Sequence, residues 1–323
     1  MRYVIFGAGG IGGVIGGRLA EHGHDVVLVA RGAHRDAIRD RGLLMRTPSG
    51  PVQVDVPVTD DAATLGLGGG DVVLVCTKSQ DSERALDAIA TASSPEVAVV
   101  CAQNGVENER AALRVFERVY GIHVMLPAAH LEPGVVEASS SPVTGMLDLG
   151  RYPRGADETA REIAAALGRS TFDSEARADI MRWKYRKLIM NLGNAVEAVL
   201  EPGPEAGEIE RRARAEGESV LQAAAIDVAS REEDRARRRG LLQVRPIAGR
   251  ERGGGSTWQS LARGAATTEA DYLNGEIVLL GRLYGVATPV NLALQRVARQ
   301  WALEGRPPGT LPAAEFERRL ANK

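Results

Sequence analysis

The sequence predicts an α/β domain with a mainly parallel β-sheet, followed by an all-α domain. In the first half of the chain, short runs rich in β-branched residues alternate with helical patterns, which is typical of β-α-β units. After about residue 174 the strand patterns cease and the periodicity is helical. We therefore predict a sheet domain over residues 1–170 and a helical domain over residues 171–323. A chain of 323 residues is long enough for two hydrophobic cores.

The individual elements are predicted as follows. Strands are expected at residues 3–6, 25–30, 71–76, 97–101, 120–124, 135–138 and 143–149, with a hairpin of 43–46 and 52–56 and a short run at 170–172. Helices of the sheet domain are expected from the glycines near residue 12 to residue 23, and at 36–41, 79–92, 106–117 and 156–167. Helices of the second domain are expected at 174–199, 206–230, 256–263, 269–284 and 291–303.

The first strand runs directly into a glycine-rich segment, which reads Gly7-Ala8-Gly9-Gly10-Ile11-Gly12. A strand, then G-x-G-x-x-G, then a helix is the context in which this pattern indicates dinucleotide binding in a Rossmann-type domain. Gly7 permits a tight turn, Gly9 leaves room for a pyrophosphate, and Gly12 allows the helix to pack on the strand. The N-terminus of that helix offers N–H groups to phosphate. We predict that residues 7–12 bind the cofactor.

Arg31 follows the second strand and indicates which dinucleotide is bound. NAD sites usually have an acidic residue about 20 residues beyond the glycines, where it binds the ribose 2′-hydroxyl. Here residues 30–35 contain no acid, and Asp36 is the first one. An arginine can instead bind a 2′-phosphate through paired hydrogen bonds. The sequence therefore favours NADP(H) over NAD(H), with Arg31 as a cofactor-binding residue.

Composition and charge argue against several classes of protein. A net charge of −2 gives no basic surface for nucleic acid, and the Arg-rich residues 235–239 follow acidic residues and are predicted to form a solvated helix face. No run of about 18 apolar residues predicts a membrane span. Cys76 and Cys101 lie in apolar runs and are predicted to be reduced core residues, so we expect a cytoplasmic protein. The five histidines show no metal-ligand spacing, and no metal is expected.

A polar stripe crosses the first helix predicted for the helical domain. Its members, at i, i+3, i+7 and i+10 on one helix face, are Lys184, Lys187, Asn191 and Asn194. The residues between them are largely apolar, which indicates a buried helix. Polar groups on such a helix must find partners or line a cavity, so the stripe is a candidate substrate site.

Further polar residues could complete a site. Ser256 and Thr257 follow a glycine run, and Glu269 lies in a polar segment that runs from Thr268 to Gly275. Lys78 and Asn104 each come shortly after a predicted buried strand. Open α/β sheets bind ligands at the carboxyl ends of their strands, although each residue could also serve only turn or capping chemistry.

Together these motifs resemble the ketopantoate reductase (2-dehydropantoate 2-reductase) family over nearly the whole chain. The matching segments are Gly7-x-Gly9-x-x-Gly12, Arg31, Thr77-Lys78, Gln103-Asn104-Gly105, Lys187-Leu-x-x-Asn191, Ser256-Thr257 and Thr268-Glu269-x-Asp271-Tyr272-x-Asn274-Gly275. The resemblance implies a Rossmann-type domain followed by an all-α domain of the 6-phosphogluconate dehydrogenase C-terminal type.

The resemblance also implies a role for each residue. Lys187 would donate the proton, Asn191 with Ser256 and Thr257 would bind substrate, Asn104 would contact cofactor and substrate, Lys78 and Glu269 would contact NADPH, and Ala129 would line the nicotinamide region. Asn194 is expected to bind substrate as part of the stripe.

Three departures from the family pattern leave alternatives open. In the family a tryptophan often lies two residues before the lysine. Here Trp183 lies four residues before Lys187 and one before Lys184, so Lys184 remains a second candidate for the proton donor. Position 195, where the family has a second asparagine, is Ala195, and the nearest asparagine is Asn194. Residues 200–205 also lack an asparagine that the family uses for substrate.

The expected activity is NADPH-dependent reduction of a small 2-oxo acid, by resemblance ketopantoate to (R)-pantoate on the route to pantothenate and coenzyme A. Hydride adds to the ketone carbon while a lysine ammonium (free pKa about 10.4) stabilises and protonates the carbonyl oxygen. Substrate is expected in the cleft between domains. Alternatives are a related reductase for another oxo acid or an imine (opine type), and a non-catalytic NADPH sensor. A homodimer is compatible with the apolar helical half.

Overall fold

The computed structural model of the protein describes residues 1–248 and 253–321. The chain divides into two compact units. The sheet unit comprises Met1–Asn104, Asn108–Lys184 and the described part of Glu232–Arg252. The helical unit comprises Gly105–Glu107, Tyr185–Arg231 and the described part of Gly253–Lys323. The boundary between residues 170 and 171 stays a prediction.

Most strands of the sheet unit begin and end close to the predicted positions, whereas short strands at Val58–Thr59, Ala128–Ala129, Ser140–Pro142 and Leu242–Val244 were not predicted. The strands are β1 Arg2–Phe6, β2 Val26–Val29, β3 Leu43–Thr47, β4 Gly50–Val54, β5 Val58–Thr59, β6 Asp71–Val75, β7 Ala98–Cys101, β8 Arg118–Met125, β9 Ala128–Ala129, β10 Val135–Ala138, β11 Ser140–Pro142, β12 Gly145–Arg151, β13 Phe172–Asp173 and β14 Leu242–Val244. The predicted hairpin of β3 and β4 is present as an antiparallel pair.

These strands form a large sheet with the order β13-β12-β8-β7-β6-β1-β2-β5. Six of its neighbouring pairs are parallel, and only β8 with β12 is antiparallel. The chain moves from β1 to β2 on one side and later to β6 on the other side of β1, which is the topological switch point of a dinucleotide-binding fold. A mainly parallel sheet with this topology confirms the predicted fold class.

Helices cover both faces of this sheet. They are α1 Gly10–Glu21, α2 Gly32–Arg41, α3 Ser82–Ala92, α4 Asn108–Leu113 and α5 Glu158–Arg169. Alternate residues of each strand enter different cores: Ile5 packs with α1 and α5 residues, and Val4 packs with α3 residues. Because both faces are covered, the central strands β1, β2, β6 and β7 are largely apolar, and full burial of each large aliphatic side chain contributes about 1.5–3 kcal/mol.

The helical unit contains most of the remaining helices. They are α6 Ile180–Asn191, α7 Gly193–Val199, α8 Pro204–Ala223, α9 Arg231–Arg238, α10 Ser256–Ala262, α11 Asn274–Tyr284, α12 Pro289–Leu303 and α13 Ala313–Ala321. Two of these helices are exceptions: the first residues of α6 and most of α9 belong to the sheet unit. No helix within residues 1–248 and 253–321 is long and apolar enough to cross a membrane.

Several predictions for the helical half need correction, and one of them is the helix predicted at 206–230, which ends at Ala223. The helix predicted at 174–199 is two helices, α6 and α7, separated by a turn at Leu192. A strand, β14, also occurs after residue 174 and pairs with β11 in a small antiparallel sheet. The sequence did not reveal this strand because it is short and partly polar, and because it pairs with a segment about 100 residues away.

The solvated face predicted for the Arg-rich residues 235–239 is correct for Arg235 and Arg239, which are exposed, but wrong for Arg237. Arg237 is largely buried and donates hydrogen bonds to both carboxylate oxygens of Asp148 at 2.6 and 2.9 Å, and it also pairs with Asp173. Arg177 binds the same Asp148 carboxylate at 2.7 Å. Burial alone would raise the pKa of Asp148, but the hydrogen bonds and charges of the two arginines lower it below its usual value.

Candidate active site

The glycine-rich loop after β1 has the geometry expected of a phosphate-binding turn. Gly7 has a φ of +102°, which side chains other than glycine rarely adopt. The N–H groups of Gly7 and Ala8 both donate to the carbonyl oxygen of Val29, so the loop is tied to β2. A Cβ added at Gly12 would overlap the carbonyl oxygen of Gly7, whereas a Cβ added at Gly9 would meet no atom of the described residues within 4 Å.

The first turn of α1 is suited to an anion. Gly9 caps the helix without a side-chain hydrogen bond, and the first turn contains no acidic residue. The leading N–H groups of a helix have no intrahelical partner and carry the positive end of the helix dipole. Gly10 approaches Ala129 of β9 so closely that an added Cβ would lie 3.3 Å from the Ala129 carbonyl carbon. Ala129 therefore lies beside the glycine loop.

Four of the predicted cofactor and substrate positions lie at one edge of the sheet. Phe6 is in register with Val29 and Val75, and Val75 with Cys101, so the carboxyl ends of β1, β2, β6 and β7 are level. Within three residues after these ends come Gly7, Arg31, Lys78 and Asn104. This edge is where open α/β sheets bind their ligands.

Arg31 is the residue immediately before α2 and is exposed. Its guanidinium forms no hydrogen bond or ion pair with any residue in the described ranges. Asp36, the first acid after β2, is paired with Arg35 at 2.7 Å. Arg31 is thus free to bind an anionic ligand, while the Asp36 carboxylate is already paired with the Arg35 guanidinium.

His34 was not predicted as part of the site, yet it contacts the glycine loop. Its Nε2 atom lies 2.7 Å from the carbonyl oxygen of Ala8, and its Nδ1 atom accepts the N–H of Gly134 at 2.9 Å. These partners assign the proton to Nε2 of the neutral ring. The ring also lies against that of His130, with 4.1 Å between centroids. Only the position of His34 in the first turn of α2 could have indicated this role.

The turn after β7, which carries Asn104, is held by a buried polar network. The carbonyl oxygen of Asn104 accepts hydrogen bonds from Asn108 at 3.1 Å and from Ser79 at 3.5 Å. The side chain of Gln103 donates to the carbonyl oxygen of Thr77 at 2.9 Å and to Ser82 at 2.8 Å. The network therefore joins the turn that contains Asn104 to the turn that contains Lys78.

The two candidate lysines of α6 have different surroundings. The Nζ atom of Lys184 lies 2.6 Å from Oε1 of Glu109, and it donates to the carbonyl oxygens of Gln103 at 2.9 Å and Ile122 at 3.2 Å. The side chains of Lys184 and Glu109 are 2% and 0% exposed. The ammonium group of Lys184 is therefore ion-paired with a buried carboxylate and donates two hydrogen bonds to backbone oxygens. Lys187, in the helical unit, is partly buried.

The rest of the predicted polar stripe lies at the junction of α6 and α7. Asn191 is the last residue of α6 and is buried, and Asn194 lies in the first turn of α7 and is partly buried. The carbonyl oxygen of Leu192 between them accepts a hydrogen bond from Asn274 at 3.2 Å. Asn274 also donates to Asn291 at 3.0 Å, so this motif residue holds the α6–α7 turn.

Ser256 and Glu269, which the sequence placed in separate motifs, are in contact. The hydroxyl of Ser256 at the start of α10 lies 3.3 Å from Oε2 of Glu269. Thr257 is 1% exposed, and its hydroxyl has no hydrogen-bond partner among the residues that the structure describes. The helical unit therefore brings Ser256 and Glu269 together but buries Thr257.

Comparison with known proteins gives a consistent match over both units. Residues 3–153 match the family described as Ketopantoate reductase PanE/ApbA, and residues 179–302 match its C-terminal part. The 2-dehydropantoate 2-reductase of Pyrococcus horikoshii is 29% identical over 314 residues, which are 94% of this chain and 96% of that protein.

Solved structures agree with this match. A PanE/ApbA family ketopantoate reductase from Ralstonia eutropha is 29% identical, with a TM-score of 0.79 over 94% of this chain and 99% of that one. A D-mandelate dehydrogenase, solved with NADH and anilino(oxo)acetate, is 23% identical, with the same TM-score and coverage, and shows the likeness of fold alone. The family match extends over both parts of the sequence. The chain belongs to the ketopantoate reductase PanE/ApbA family and is an oxidoreductase.

Proposed function

We propose that this protein reduces a 2-oxo acid with NADPH, and that its substrate is 2-dehydropantoate (ketopantoate), giving (R)-pantoate for pantothenate and coenzyme A synthesis. The observation that supports this most directly is the family match over 3–153 and 179–302, because it includes both the glycine loop and the Lys187–Asn191 motif. The relative from Pyrococcus horikoshii, which carries the name of this activity, spans both units as well.

The proposed cofactor site combines the glycine loop with residues from several other segments of the chain. The pyrophosphate would bind at Gly7, Ala8, Gly9, Gly10, Ile11 and Gly12, with Lys78, Asn104, Ala129 and Glu269 as further contacts. Arg31 would bind the 2′-phosphate, which is supported by its exposure and by the absence of a side-chain partner among the described residues. A carboxylate at this position would repel that phosphate, so the arginine favours NADPH over NADH.

The proposed chemistry gives Lys187 the catalytic role. When bound, NADPH supplies the hydride that adds to the ketone carbon. Negative charge then develops on the carbonyl oxygen, where the Lys187 ammonium would stabilise it and donate a proton to give the hydroxyl group. Asn191, Asn194, Ser256 and Thr257 would orient the substrate through hydrogen bonds. Lys184 is a weaker candidate for the donor, because its ammonium is buried, ion-paired with Glu109 and already donates two hydrogen bonds to backbone oxygens.

Reduction of a different 2-oxo acid is a second candidate function. Ala195 stands where the resemblance leads us to expect an asparagine, and a change of one hydrogen-bonding group in a substrate site can alter selectivity strongly. The protein named D-mandelate dehydrogenase, which was solved with NADH and anilino(oxo)acetate, shares the fold, so we infer that the fold accommodates more than one substrate.

A substrate panel tests these alternatives. Purified protein is mixed with ketopantoate, other 2-oxo acids or an oxo acid plus an amine, each with NADPH and with NADH, and loss of reduced nicotinamide absorbance is followed. We expect the highest kcat/KM with ketopantoate and NADPH. Turnover of another compound with none of ketopantoate would contradict the proposed substrate. Tight NADPH binding without turnover of any compound would instead identify a sensor. The homodimer and the cytoplasmic location stay predictions.

A further inference from the structure

The buried ion pair of Lys184 and Glu109 lies directly behind the turn that carries Asn104. Lys184 donates to the carbonyl oxygen of Gln103, which is the residue before Asn104, and to that of Ile122 in β8. One ammonium thus connects the end of β7, the middle of β8 and the start of α4, where Glu109 is located. The pair is not needed as a proton donor under the proposed mechanism, so its function requires a separate explanation.

The sequence provides space for this pair in a strand that would otherwise crowd it. Gly121 lies within β8, and a Cβ added there would be 2.9 Å from Oε1 of Glu109 and 3.1 Å from Cδ of Lys184. Glycine in a strand interior weakens the strand and often marks a close approach. Here the groups that approach the glycine closely are those of the ion pair. Besides the contacts of Lys184, this is a second observation that the chain is built to accommodate the pair.

A buried ion pair is weak evidence for a stabilising role. Desolvation of both charges offsets much of their attraction, and an apolar pair of similar size is often equally stable. A charged donor can, in contrast, hold a carbonyl oxygen firmly in one position, because hydrogen bonds to ionised groups are shorter and stronger than neutral ones. The distance of 2.9 Å from Lys184 Nζ to the Gln103 oxygen is consistent with that use.

We propose that Lys184 and Glu109 are positioning residues that fix the Gln103–Asn104 turn, so that Asn104 is held in place for cofactor and substrate. Glu109 orients the ammonium, the ammonium holds the Gln103 carbonyl oxygen, and Asn108 and Ser79 hold the next carbonyl oxygen, that of Asn104. This inference rests on the proposed role of Asn104 in NADPH binding and reduction. Loss of the pair would displace Asn104 without removing any group that contacts a ligand.

The test compares two variants of the pair with one control. K184M/E109Q removes both buried charges and the donor to Gln103, and G121A leaves both groups in place but crowds them. The control is R237M, which removes a buried ion pair with Asp148 elsewhere in the sheet unit. For each protein, kcat and KM for both substrates, the Kd for NADPH and the melting temperature are measured. Hydrogen exchange of residues 102–108 reports on the turn.

We expect K184M/E109Q to lose about 10- to 100-fold in kcat/KM and to bind NADPH more weakly, since a displacement of about 1 Å can cost about 10²-fold. Exchange at residues 102–108 should become faster. G121A should show the same changes in smaller degree, and it decides the question if the double variant does not fold. R237M should lower the melting temperature while kcat and the Kd for NADPH remain those of the wild type.

Unchanged kcat and NADPH affinity in folded K184M/E109Q, or in G121A if the double variant does not fold, would overturn the inference. A loss of melting temperature alone, equal to that of R237M, would overturn it as well. If the wild-type protein fails to reduce ketopantoate but NADPH binding still weakens in the pair variants, then the proposed substrate is wrong and the positioning role stands.

Discussion

The imidazole of His34 donates a hydrogen bond from Nε2 to the carbonyl oxygen of Ala8, at 2.7 Å. Ala8 is the residue between the first two glycines of the phosphate-binding loop, and His34 lies in the first turn of α2. The other ring nitrogen accepts the N–H of Gly134 at 2.9 Å. One side chain therefore fixes the glycine loop against two other segments of the sheet unit.

Replacement of His34 is expected to weaken cofactor binding. H34L removes the donor to Ala8 and leaves that carbonyl oxygen without its partner, which costs about 1–3 kcal/mol. We expect part of this cost to appear as a less ordered glycine loop. H34Q retains an amide N–H at nearly the position of Nε2. We expect the Kd for NADPH to rise about tenfold or more in H34L and less in H34Q, measured by NADPH fluorescence titration. Equal affinities in H34L and the wild type would show that the contact does not organise the loop.

His34 should also make the stability depend on pH in the mildly acidic range. Burial, and then the neighbouring His130, lower the pKa of His34 below its ordinary value of 6.5, although its bond to Ala8 opposes this. Below about pH 6.5 the unfolded chain therefore binds a proton that the folded protein resists, so the free energy of unfolding falls as the pH drops toward the folded-state pKa.

Urea titrations at pH 7.5 and 5.5 measure this dependence. The wild type should lose more unfolding free energy between the two values than H34Q does, because glutamine does not titrate. Other groups, including His24 with its lowered pKa, are common to both proteins and cancel in the comparison. An identical pH dependence in the two proteins would contradict the assignment of a neutral, buried His34.

Arg31 is expected to determine the choice between NADPH and NADH. In R31A the proposed 2′-phosphate contact is lost, and hydrogen bonds to charged groups contribute about 1.5–3 kcal/mol each. We expect kcat/KM with NADPH to fall about 10- to 100-fold, while the value with NADH changes little. The control is R39A on the exposed surface of α2, which should alter neither value. A parallel loss with both cofactors would mean that Arg31 serves the loop rather than the phosphate.

The parts of the fold that depend on local sequence could be predicted. The glycine loop, the longer strands and most helices follow from spacing within a few residues, as does the position of Arg31 after β2. Lys184 and Lys187 could not be separated in this way, because both lie on one helix face. What distinguishes Lys184 is Glu109, 75 residues earlier in the chain, and only the folded structure brings them together.

Other errors have the same cause. Arg237 lies in a mixed-charge segment that is typical of a solvated helix, and its partner Asp148 is 89 residues away. The turn at Leu192 interrupts a continuous helical pattern, and Asn274, which holds it, is 82 residues away. A tertiary contact of this kind overrides local propensity and leaves no signal in the neighbouring sequence.

The proton donor can be tested most directly with Lys187→Ala, assayed with NADPH and the best oxo acid from the substrate panel. The proposed role of Lys187 predicts that kcat falls about 10²- to 10⁴-fold, the range for loss of a general acid, while the Kd for NADPH stays that of the wild type. A Lys187→Ala protein that retains wild-type kcat would contradict the proposal that this lysine protonates the oxygen of the reduced carbonyl.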